Sequence, residues 1–514
     1  MYVRRKPNRS GSTSVVVVEK RKGKIQYLKT IGVSSDPIEI DYLHLQGKRW
    51  ILEQAGKRDM FLEQIHQEEE KLVVEGFLNK IEHILINGTQ LILNPVYKNI
   101  GFDKINDDVL KHLVISRICQ PQNKVATSDY LKSYFDEDVD LNKIYRYLDK
   151  LSDTQKEKIQ EISVNHTRKV LGSSIGVVFY DVTTLYFEID EDDELRKKGW
   201  SKDGKHSQPQ IVLGLLVSRG GYPLAYSIHE GNKYEGHTML PIIRDFVSKF
   251  NLEEFIIVAD SGLMNAENIK DLETNNYQYI IGARIKSENQ VVREWILSQD
   301  KVEGSFYDYQ KTRQQRLILG YTEQRARKDA INREKGIKRL EKEYKSGAIT
   351  KAKIDKRGYN KFLKLDNHVN VEIDYSKIAE DAQWDGLKGY VTNTKLSGSD
   401  VYQQYSELWQ VERAFRVTKG ALALRPMFHF TKKRIEAHVC ICFVAYKVYK
   451  ELERILRNND ITMSVDKVLS IAKTITTIKV KLQKNKDTIS KTMLITEKHK
   501  SISKLFENDF WNQT

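Results

Sequence analysis

Hydrophobic and polar positions change rhythm along the chain, and the changes mark its parts. Residues 1–35 alternate with period two. Val15–Glu19 and Ile25–Ile31 read as strands joined by the turn Lys20-Arg21-Lys22-Gly23-Lys24, a basic β-hairpin. It serves either as a solvated edge or as a phosphate-contacting ribbon. Residues 36–172 take up helical spacing. Asp107–Cys119 places Leu110, Leu113, Val114 and Ile118 on one side, and Gln120-Pro121-Gln122 ends it. Val125–Phe135 and Asn142–Leu151 follow as short helices, the second with the basic-aromatic Tyr145-Arg146-Tyr147. This region reads as a mainly helical DNA-binding region of helix-turn-helix type, or as a plain bundle.

From residue 173 to 285 the period returns to two. Strands are predicted at Val177–Tyr180, Ile211–Ser218, Leu224–Ile228, Phe255–Ala259 and Tyr279–Ile281, with helices at His237–Phe250 and Asn265–Thr274. Strands with short connections, then alternating helix and strand, predict a mixed sheet flanked by helices. Two of these strands run apolar into a carboxylate, at Asp181 and at Asp260. An aspartate after a strand is ordinary turn chemistry. Two such strands in one sheet set two carboxylates side by side, and a divalent cation relieves their repulsion.

Residues 286–385 break the pattern as a basic α+β insertion: a charged helix over Gln324–Lys345 between strand-like pieces at Arg316–Tyr321 and Val369–Ile373. Residues 386–460 hold a last strand near Tyr390–Asn393, a helix over Tyr402–Lys419 and another over His438–Arg457. Residues 461–514 read as a helical tail. On the Tyr402–Lys419 helix, Tyr405, Trp409, Glu412, Arg416 and Lys419 share one face, while Leu408, Val411 and Phe415 pack inward.

Charge changes this picture. The chain of 514 residues carries 84 Lys+Arg against 70 Asp+Glu, net +14. Between Lys311 and Lys364 stand 18 Lys+Arg and 6 Asp+Glu, a surplus of 12 in that window alone. Such concentration points to a nucleic-acid surface rather than a merely solvated face. The three cysteines imply no disulfide framework and a reducing compartment. The basic N-terminus lacks an apolar stretch after it, so no secretory signal is predicted. No apolar run reaches the ~20 residues that span a bilayer. His229, Glu230 and His237 lack a zinc-ligand spacing. Trp295 and Trp384 are more readily core residues than stacking platforms.

Taken together these segments resemble bacterial insertion-sequence DDE transposases, in the branch whose third-acid helix carries Tyr-x2-Arg-x3-Glu-x6-Lys. Tyr405, Glu412 and Lys419 fall at those spacings, while the Arg position is Leu408. YDVTTLYFE around Asp181, residues 201–217 and 221–238, VADSGLMNAENI around Asp260, Leu424–Phe430 and RIEAHVCICF at 434–443 also carry the resemblance. It implies an RNase H-like core with Asp181, Asp260 and Glu412 as catalytic metal ligands for two Mg²⁺ (or Mn²⁺) ions. Tyr405 and Lys419 would hold phosphates, Arg413 or Arg416 would stand in for the missing arginine, and Lys202 and Lys205 would touch DNA from their loop. The implied protein is cytoplasmic and bacterial, binds double-stranded DNA at inverted-repeat ends and at a target, and pairs as a homodimer on DNA. Alternatives are another RNase H-like nuclease or a non-catalytic DNA-binding protein derived from a transposase.

Overall fold

The computed structural model describes residues 1–56, 60–172, 174–201, 204–250, 252, 255–263, 265–346, 354–355, 358–366, 370–481 and 487–506. The chain forms two compact units, Met1–Ile92 with Lys132–Glu137 and Asp466–Thr514, and Leu93–Leu131 with Asp138–Val465.

In the first unit the hairpin is longer than its apolar runs predict. Thr13–Arg21 pairs antiparallel with Lys24–Ser34, and Tyr2–Pro7 adds a third strand. The turn falls at Lys22 and Gly23, both with positive φ (48° and 79°), a two-residue geometry that glycine accepts without strain. Helix Pro37–Gln54 packs on this sheet, and Asp36 caps it by accepting from the Ile38 and Glu39 amides. The tail departs from expectation. Thr476–Lys481 and Thr488–Met493 are strands, the first pairing with the second on one side and with Ile81–Leu85 on the other. Thr, Ile and Val at most of their positions favour a pleated surface over a helix.

The second unit is built on a mixed sheet flanked by helices. Val177–Tyr186 pairs antiparallel with Pro209–Ser218, which pairs antiparallel with Pro223–Glu230. On its other side Val177–Tyr186 runs parallel to Ile256–Ala259, which runs parallel to Gln278–Ala283. In chain order these five strands lie 3-2-1-4-5 across the sheet. Leu387–Thr392 then joins antiparallel beside Gln278–Ala283, and Arg316–Tyr321 and Phe306–Gln310 extend the sheet outward. Part of the basic 286–385 segment is therefore continuous with the main sheet. Its helix Glu323–Lys345 buries only Gly336 and Leu340.

Period-two alternation divides the sheet's residues between two faces. One face carries Val178, Tyr180, Val182, Ile257, Ala259, Tyr279, Ile281, Leu317, Leu319, Leu387 and Val391. These pack with Ile243 and Phe246 of helix Met239–Phe250 and with Leu272 of helix Ala266–Thr274 in one apolar core. Trp384 is buried there, with Trp295 packed against it, so both tryptophans fill core. The other face carries the alternate positions: Phe179, Asp181, Val258, Asp260, Ile280, Gly282, Lys388 and Tyr390. Helix Trp409–Lys419 packs against strand Val177–Tyr186, and the long helix Lys432–Asn458, apolar through its middle, packs against Pro223–Glu230.

Two predicted elements are corrected. Strand Val177–Tyr186 does not stop at Asp181, because Asp181 pairs with Leu215 and the ladder runs on to Tyr186. The helix expected over Tyr402–Lys419 is two, Gly398–Ser406 and Trp409–Lys419. Between them the amides of Glu407, Leu408, Gln410 and Val411 bond three residues back, a tight turn that interrupts the α-helical ladder.

Candidate active site

The parallel register decides where the first two acids meet. Tyr180 pairs with Ala259, the last pair between those strands. Asp181 and Asp260 each come one step later, on strands spaced by about 4.8 Å. Asp181 thus keeps its antiparallel partner Leu215 but has run past the end of its parallel one. It is half-buried, and Asp260 is exposed.

Tyr405 locks the position of Asp260. Its hydroxyl donates to Asp260 Oδ1 at 3.0 Å, although the side chain is only 6% exposed. Burial, then the Asp260 charge, raises the phenol's pKa, so it stays protonated as the donor. Gly282 makes room for it: a Cβ there would stand 2.6 Å from the Tyr405 hydroxyl oxygen and 3.2 Å from the Ser261 amide nitrogen. Tyr390 packs on the same ring, with centroids 4.8 Å apart, and Lys388 Nζ sits 4.3 Å from its centre.

Asp260, Tyr405 and Glu412 line one cavity of about 350 Å³, together with Lys388, Arg325 and Trp409. Asp181 is not in its wall. Lys388 sits in the field of both acids. Burial lowers its pKa most, Arg325 lowers it further, and Asp260 and Glu412 pull it back up. Neither Lys388 nor Arg325 stands out in the sequence. Arg325 is one of many cations in a charged run, and Lys388 is the one charged residue of a mostly apolar strand. A lysine inside a buried strand is the signal that could have found it.

The remaining predicted residues scatter. Arg416 is exposed one turn beyond Glu412, and Lys419 is half-buried at the end of the same helix. Arg413 turns away and pairs with Glu453 on the long helix, so it is already committed. Leu408, at the signature's arginine position, is buried at 7% exposure. Lys205 is exposed, with Nζ 5.7 Å from the Tyr186 ring centre, five residues along the strand from Asp181. Lys202 lies outside the described residues. His229 bonds Ser227 at 2.8 Å, and the three cysteines are buried and free.

Among the described residues no group of three His, Cys, Asp or Glu side chains is gathered closely enough to hold a metal ion. The donor chemistry still suits Mg²⁺, which takes one or two carboxylates and leaves its other positions to water and phosphate oxygens. Asp181 and Asp260, on neighbouring strands and one face of the sheet, are two carboxylates of that kind.

A mixed sheet flanked by helices is consistent with a transposase fold. The profile of the family described as Transposase DDE domain matches residues 172–447, and the chain belongs to that family. No curated protein matches it. Among solved structures, the cryo-EM synaptic complex of piggyBac transposase with hairpin DNA aligns over 71% of this chain and 70% of that one, at 8% identity and a TM-score of 0.39.

Proposed function

We propose that this transposase binds the terminal inverted repeats of an insertion sequence, cuts a DNA strand there and joins the freed end to target DNA. The reading takes the core as RNase H-like, with Asp181, Asp260 and Glu412 as its acids. The observation that carries it is the placement of Asp181 and Asp260 one step past a shared register pair, with Glu412 in the same cavity as Asp260.

In this reading Asp181, Asp260 and Glu412 would hold two Mg²⁺ or Mn²⁺ ions, which would supply charge stabilisation and a lower pKa for the attacking oxygen. Tyr405, expected to grip a phosphate, instead positions Asp260 through its hydroxyl. Lys388 and Arg325 balance the acids' charge and present cations to the scissile strand. Arg325 takes over the role that Leu408 cannot fill, rather than Arg413. Arg416 and Lys419 extend the phosphate contacts along the helix, and Lys205 adds one from its loop. The 36–172 region and the basic 286–385 segment hold the DNA, and two protomers pair two ends.

Cleavage of a labelled inverted-repeat duplex in Mg²⁺ tests the site. Asp181→Ala, Asp260→Ala and Glu412→Ala are each expected to cut at least about a hundredfold more slowly while end binding persists. Undiminished cleavage by any one variant removes that residue from the site.

A further inference from the structure

A second cavity in the same unit, of about 390 Å³, has the opposite character: it is rich in buried cations, and none of its wall residues is Asp or Glu. Arg117 and Lys124 line it at 6% and 4% exposure. Arg117 Nη2 donates to the Gln122 carbonyl at 3.2 Å, and among the described residues Lys124 has no hydrogen-bond or ion-pair partner. Burial, then the nearby Arg117, lowers the Lys124 ammonium to about 7. Arg434, at the edge, is matched by Asp149 at 2.7 and 2.9 Å, so that carboxylate is already taken.

Two further observations point into the same space. The 27-residue helix Lys432–Asn458 begins here, and its cap residue Thr431 lines the cavity without making a side-chain cap bond. Its first amides therefore offer an uncapped positive end. His438 is 4% exposed and lines the cavity, and among the described residues its Nδ1 has no side-chain hydrogen-bond partner. Keeping both of these groups charged is costly unless an anion completes the site. A guanidinium fork, a lysine and a helix N-terminus are the groups that bind phosphate. At the mouth Phe428 and Phe430 are 64% and 60% exposed, flat surfaces suited to stacking on an unpaired base.

We propose that this cavity binds a phosphate group of a DNA strand, held by Arg117, Lys124 and the start of helix Lys432–Asn458, with Phe428 and Phe430 stacking on the adjoining base. The anion site stands on its own geometry; only the choice of DNA as the phosphate's carrier rests on the function proposed above.

The test is calorimetric titration of the full chain with inorganic phosphate and with a single-stranded oligonucleotide of about six nucleotides. Wild type is expected to bind both, in competition. Lys124→Met is expected to weaken both about tenfold, the effect of losing one charged hydrogen bond, and Lys124→Arg to restore them. Phosphate is expected to raise the melting temperature of wild type and not of Lys124→Met. Phe428→Ala, at an exposed position, is expected to weaken the oligonucleotide alone. Asp181→Ala is expected to leave both titrations unchanged, which keeps failure of this site distinct from failure of the active site. Phosphate and oligonucleotide binding that Lys124→Met leaves intact overturns the site. Phosphate binding that does not compete with the oligonucleotide overturns the strand as its carrier.

Discussion

The two cavities of the larger unit are of similar size and opposite in charge logic. One gathers Asp260 and Glu412 and sets Lys388 and Arg325 among them. The other gathers Arg117 and Lys124 with no acid in its wall. In the first, protein cations already temper the acids, and Asp260 is fixed by a tyrosine hydroxyl at 3.0 Å. In the second, Lys124 is left without a partner among the described residues. The first presents both signs of charge to whatever enters it; the second presents cations alone, and so suits an anion.

The largest effect expected from breaking this contrast is structural and confined to the acidic side. Gly282→Ala pushes a Cβ against the Tyr405 hydroxyl, and overpacking of this kind costs about 1–3 kcal/mol. Denaturant unfolding is expected to show that loss, and Gly282→Ala with Tyr405→Phe to recover part of it, because the crowded atom is gone. Phosphate titration of the basic cavity stays as in wild type. Equal stability of Gly282→Ala and wild type would mean that the tyrosine is not held against the sheet.

A smaller effect sharpens the electrostatics. Lys388→Met removes a positive charge that competes with a metal ion for Asp260 and Glu412. The Mg²⁺ concentration for half-maximal cleavage is expected to fall about fivefold, the scale of one partly screened charge at several ångströms. Lys124→Met leaves it unchanged. A half-saturation point that Lys388→Met does not move separates this lysine from the metal ligands.

The mildest effect per residue belongs to the basic helix Glu323–Lys345. Several of its cations are paired within the helix, such as Arg327 with Glu323 at 2.9 Å and Lys338 with Glu334 at 2.7 Å. Its charge is spread over a solvated face, unlike the built basic cavity. Neutralising lysines there is expected to flatten the salt dependence of DNA binding by about 0.9 in log–log slope for each phosphate that is no longer neutralised. An unchanged slope assigns the helix to solvent alone.

The sheet is legible because alternation survives in the sequence. All five predicted core strands form, and both aspartates sit where apolar runs meet polar residues. The tail is not: its β-favouring Thr, Ile and Val positions carry the signal, but Ile81–Leu85, the strand that pairs with Thr476–Lys481, lies almost 400 residues away. The interruption at Glu407-Leu408 is hidden because neither residue breaks a helix, and the tight turn there shows only in backbone bonding. Lys388 carries a signal, a lysine inside a mostly apolar strand, but the face it points from shows only once the sheet is assembled.

By itself the sequence determined which residues alternate, and so which share a face of a strand. Asp181 and Asp260 are both fixed as odd members of otherwise apolar runs by local pattern alone. Only the tertiary structure decided that the two strands lie parallel with Tyr180 beside Ala259. Pairing and register depend on contacts between residues far apart in the chain, and a slip of one residue would turn every side chain to the other face. That register sets Asp181, Asp260, Gly282 and Lys388 on one surface and leaves Gly282 bare enough for Tyr405 to reach Asp260.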